Sequence, residues 1–125
     1  RDPEGLLRWA GRLSREVAPG ACITGVPARD GRHLLIAVSD RGQTRLITQE
    51  MVAADAPSHG SYPGTGDVFA SVLAGALMQG ESLADAACRA ADFVTLCVRA
   101  TAAANTPQKE GLLLEPQLPA LLSRP

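Results

Sequence analysis

The chain has 125 residues, 46% hydrophobic, 20% charged and only 3% aromatic, with twelve basic and thirteen acidic side chains for a formal net charge of −1. That is enough apolar sequence to bury a core, which excludes a solvated tail. Balanced charge supplies no general field for nucleic acid or an anionic membrane, and no apolar run reaches the roughly 18 residues needed to span a bilayer.

Asp2-Pro3 provides an N-cap and a proline at the first helical position, and Leu6, Ala10, Leu13 and Val17 recur at helical spacing, so a first helix to about Val17 is predicted. With Arg1-Asp2-Pro3 at its start, no initiator methionine and no secretory segment, the chain is expected to begin within a longer protein. Pro19-Gly20 stops the helix, and Ala21-Cys22-Ile23-Thr24-Gly25-Val26 reads as a buried strand. His33 to Val38 and Thr44 to Thr48 are β-branched runs that the turn residues between them should join as a hairpin. From Gln49 to Pro63 periodicity is lost and a loop is predicted.

Gly64-Thr65-Gly66-Asp67 then runs directly into Val68, Phe69, Val72, Leu73, Ala76 and Leu77, a second helix that should end with Gly80 in the C′ position. Ser82-Leu83-Ala84-Asp85 starts a third, with Leu83, Ala86, Ala90, Val94, Cys97 and Thr101 on one stripe, ended by Asn105-Thr106-Pro107. Leu112-Leu113-Leu114 and Pro116 to Leu122 read as a short extended piece and a closing helical turn. The order α, β, β, β, α, α suggests an α/β fold with helices packed at a sheet edge and too few strands for a complete doubly wound domain.

The chemistry concentrates at Gly64-Thr65-Gly66-Asp67. Two glycines let the backbone approach a ligand with successive N–H groups aimed at one anion, and the helix behind them adds its positive end. A carboxylate repels phosphate, but beside a phosphate cradle Asp67 could take the proton of an attacking hydroxyl. From the tetrapeptide alone, a plain helix cap by Thr65 or Asp67, with the glycines merely turning the chain, stands level with this reading.

The stretch Tyr62 to Thr101, with Tyr-Pro-Gly-Thr-Gly-Asp-Val-Phe-Ala-Ser-Val-Leu-Ala-Gly-Ala-Leu followed by Gly-Glu-Ser-Leu-Ala-Asp-Ala, closely resembles the C-terminal signature of the ribokinase-like superfamily, specifically pyridoxal and pyridoxamine kinases. Nearly the whole chain aligns in order, through Glu110-Gly111-Leu112-Leu113-Leu114-Glu115. Sugar and nucleoside kinases of that superfamily usually carry Gly-Ala-Gly-Asp and hydroxymethylpyrimidine kinases Gly-Thr-Gly-Cys, whereas this chain has Thr65 and Asp67.

The resemblance implies that residues 1–125 are the C-terminal portion of a single ribokinase-like kinase domain, part of a three-layer α/β/α sandwich whose N-terminal half is absent from the chain. It implies ATP-dependent phosphorylation of a vitamin B6 vitamer at its 5′-hydroxymethyl group, as in pyridoxal phosphate salvage. In this comparison Asp67 holds the position of the catalytic base, and Gly64, Thr65 and Gly66 hold the anion hole. Thr24 and Gly25 match positions that contact nucleotide phosphates, and Tyr62 and Val98 resemble residues flanking the nucleotide. ATP with Mg²⁺, a pyridoxal-like small molecule, the N-terminal half of the domain and a second copy in a homodimer are the implied partners; nucleic acid and membrane are not.

In the family the pyridine-holding residues and the acidic magnesium motif come from the N-terminal half, so no metal ligand is identified in this chain. The alternatives are a noncatalytic nucleotide-binding fragment, or a related hydroxymethylpyrimidine or sugar kinase. Elsewhere the sequence offers less. The three cysteines, Cys22, Cys88 and Cys97, lack Cys-x-x-Cys spacing, which indicates a reducing, cytoplasmic setting rather than a disulfide scaffold or zinc site. Cys88 and Cys97 should face opposite sides of their helix, and isolated His33 and His59 read as non-catalytic. Ser71 reads as a packed helix hydroxyl, and Arg12, Arg15 and Arg99 as solvated charges.

Overall fold

The computed structural model describes residues 2–51, 64–104 and 114–122. Among these the elements follow in the expected order: α1 Pro3–Glu16, β1 Gly20–Pro27, β2 His33–Asp40, β3 Gln43–Glu50, α2 Thr65–Met78 and α3 Leu83–Ala104, then a 3₁₀ helix Glu115–Leu122. Asp2 caps α1 through a carboxylate oxygen that accepts the Glu4 N–H at 3.2 Å, and Pro3 occupies the first turn. The termination of α3 at Asn105-Thr106-Pro107 and the Leu112-Leu113 piece lie outside the described residues.

The strands form an antiparallel meander in the order β1-β2-β3. The hairpin of β2 and β3 is as expected. That of β1 and β2 is an addition, turned at Ala28-Arg29-Asp30-Gly31, where Gly31 takes φ +69 and its N–H reaches the Ala28 carbonyl at 3.2 Å. Alternation along β2 sets the layers. Leu35 and Ala37 pack with Leu6 and Ala10 of α1, whereas Ile36 and Val38 pack with Phe69, Ala90 and Val94 of α2 and α3.

Helices therefore cover both faces of the central strand, in three layers, rather than gathering at a sheet edge as the element order suggested. Strand β2 is buried on both sides because it is the middle strand. Strand β1, expected to be buried, has no buried residue: among the described residues it is paired on one side only, and its Gly20, Thr24, Gly25 and Pro27 are exposed.

A hydroxyl pair ties α1 to the sheet. Ser14 donates to the Gly11 carbonyl at 3.1 Å, lies 2.6 Å from the Ser39 hydroxyl and accepts the Gly42 N–H at 2.9 Å. On the opposite face, Gly80 with φ +91 ends α2 in the C′ position, and the Glu81 N–H returns to the Ala76 carbonyl at 3.1 Å. The Ser82 hydroxyl then accepts the Asp85 N–H at 3.1 Å and opens α3. Its stripe of Ala86, Ala90, Val94, Cys97 and Thr101 is buried as the spacing predicts, widened by Ala87, Ala91 and Phe93. Cys97 is buried and Cys88 exposed, as their phase requires.

Candidate functional site

Gly64 is the N-cap of α2, in the left-handed region at φ +88, with no side-chain hydrogen bond closing the cap. A Cβ added at Gly64 or Gly66 would meet nothing within 4 Å. These glycines are therefore not dictated by internal crowding. At Gly64 the backbone conformation calls for glycine, and both positions leave the approach to the first-turn N–H groups open. The plain-cap alternative had Thr65 or Asp67 closing the helix; the cap residue is instead Gly64, whose carbonyl accepts the Val68 N–H at 3.0 Å. The arrangement suits an anion set against a helix start. Asp67 lies exposed in the first turn of α2 and lines a cavity of about 560 Å³ with Val68, Val72, Phe93 and Leu118, its walls otherwise mostly apolar. The Arg89–Glu81 ion pair, 3.0 Å long, lies at the same cavity.

Thr24 and Gly25 occupy a β-bulge within β1. Ile23 pairs with Ala37 and Val26 with Leu35, so these two residues oppose Ile36 alone, and Gly25 takes φ +72. The bulge takes Thr24 and Gly25 out of the regular ladder pairing and leaves both exposed.

Chain direction brings the bulge and the helix start to one end of the sheet. Leu83 at the start of α3 lies against Gly20, at the opening of β1. At the other end Gln49 donates to the Thr95 hydroxyl and the Ala91 carbonyl, each at 3.2 Å, and Arg99 pairs with Glu50 at 2.6 Å. Thus α3 runs from the Gly20 end to the Pro27 end. The tight turn Gln79–Ser82 makes α2 antiparallel to it, so Gly64 to Asp67 lie at the Pro27 end, with the Thr24-Gly25 bulge. Fourteen residues at about 1.5 Å each raise the α2 start to roughly the level of Val98.

Val98 is half-buried and packs against the core of Ile36, Phe69 and Val94, the ordinary packing role for such a residue. Tyr62 and His59 lie outside the described residues. Ser71, expected to be packed, is exposed and lines the cavity, because α2 is covered on only part of its circumference. Arg12, Arg15 and Arg99 are exposed, as expected, and Arg12 and Arg99 form surface ion pairs with Glu16 at 3.4 Å and Glu50 at 2.6 Å.

Titration fits this placement. Burial pushes the Cys22 thiol up to about 11, and burial also raises Cys88 and Cys97, so none is a poised nucleophile. The Asp30 carboxyl is held below the usual carboxylate range, first by the Arg32 N–H and then by the His33 ring. The β1–β2 turn that holds it went unread in the sequence, although Asp30-Gly31 between two apolar runs is a hairpin signal.

The described elements make a three-layer α/β/α arrangement with an open, glycine-led helix start at one end of the sheet. The phosphomethylpyrimidine kinase family model matches residues 6–112, and the chain belongs to that family. Its fold corresponds to the C-terminal part of the ribokinase-like α/β fold. Two crystal structures assigned as a phosphomethylpyrimidine kinase of Bacteroides thetaiotaomicron VPI-5482 are similar. The rhombohedral form is 33% identical with a TM-score of 0.84, over all of this chain and 41% of that one. The orthorhombic form, which contains pyridoxal, is 34% identical with a TM-score of 0.83, over all of this chain and 43% of that one. The chain thus spans about two-fifths of the length of the structures it matches. No protein among the curated ones matches it significantly.

Proposed function

We propose that this chain supplies the catalytic base and the phosphate-binding helix start of an ATP-dependent kinase that phosphorylates the 5′-hydroxymethyl group of a B6 vitamer. The observation that carries the reading is the uncapped, left-handed Gly64 start of α2 with Asp67 in its first turn. The first-turn N–H groups bind the phosphate being transferred and stabilise its charge, while Gly66 keeps backbone close to it. Asp67 accepts the hydroxymethyl proton as that oxygen attacks the γ-phosphorus in line, and ADP leaves. Thr24, exposed in its bulge at the same end of the sheet, offers a hydroxyl and backbone to the remaining phosphates, with Gly25 keeping the approach open.

Among the described residues no group of three His, Cys, Asp or Glu side chains could hold a metal. Magnesium would enter as the nucleotide complex, held by phosphate oxygens and waters, which leaves the Asp67 carboxylate for the proton. Bound in this way it would offset phosphate charge.

For the vitamer, support comes from the relative that crystallised with pyridoxal and from Asp67 standing where cysteine is usual in hydroxymethylpyrimidine kinases. A second reading, phosphorylation of a hydroxymethylpyrimidine or its phosphate, is favoured by the matching family. A substrate panel of pyridoxal, pyridoxamine, pyridoxine and hydroxymethylpyrimidine on the enzyme containing this chain separates the two. In that enzyme Asp67→Asn should lower kcat by about 10²- to 10⁴-fold while nucleotide affinity is largely kept. Undiminished turnover in this variant would remove Asp67 from the base role.

A further inference from the structure

We draw no further inference here: the strongest candidate, the largely apolar cavity of about 560 Å³ between α2, α3 and the 3₁₀ helix, carries nothing, because Asp67 in its lining belongs to the site already described and nothing in the structure shows what covers its Val72, Phe93 and Leu118 walls.

Discussion

Ser14 shows what a single hydroxyl can decide in this fold. Its one proton goes to the Gly11 carbonyl and its lone pairs face the Ser39 hydroxyl and the Gly42 N–H, so its hydrogen-bonding capacity is used in full. Ser14→Ala leaves the fully buried Ser39 hydroxyl and the half-buried Gly42 N–H without that partner, at a cost of about 1–3 kcal/mol. Arg12→Ala, which removes an exposed ion pair, should cost about 1 kcal/mol or less. Urea unfolding of both variants checks the order; an equal loss would contradict it. At this scale the sequence was most legible where chemistry is local. The α2 start behind Gly64 and the Asp2 cap could be read from neighbours alone, whereas the Ser14–Ser39 pair joins residues 25 apart that carry no mark of each other.

Helix α3 presents four alanines, Ala86, Ala87, Ala90 and Ala91, at or below 3% exposure, which lets it lie close to the sheet and to α2. Ala90→Leu inserts three heavy atoms at a fully buried core position and should destabilise the chain by about 1–3 kcal/mol. The same change at Ala103, exposed near the end of α3, should cost little. Thermal unfolding followed by circular dichroism distinguishes them, and similar midpoints would show that the packing is looser than described. This stripe was readable because helical periodicity writes the buried face into the sequence. Strand β1 was misread for the converse reason: an apolar run such as Ala21-Cys22-Ile23 reports what a strand could bury, while actual burial depends on how many neighbours it has. The bulge at Thr24-Gly25 was likewise invisible, since it exists only in the register with β2.

At the scale of the molecule, apolar surface is unevenly covered. Helix α2 carries Val68, Phe69, Val72, Leu73, Leu77 and Met78 around its circumference, yet only Phe69 and Ala76 are buried, and Met78 is 87% exposed. A helix that is apolar on every side belongs in the interior of a larger assembly of elements, and the matched structures are more than twice as long as this chain. The chain by itself should therefore enhance the fluorescence of an apolar dye while its circular dichroism remains native. Val72→Asp, in the wall of the cavity, should reduce that enhancement. Absence of dye binding by the unmodified chain would show that the α2 surface is closed.

The meander β1-β2-β3 has a further consequence, in time rather than in space. Each strand pairs with the next in sequence, and α2 reaches α3 through a four-residue turn, Gln79–Ser82. Few of these contacts require distant parts of the chain to find one another, so the entropic toll of closing loops is small. Hairpin closure, at roughly microseconds, then sets the pace at which these elements organise, well ahead of any long-range pairing.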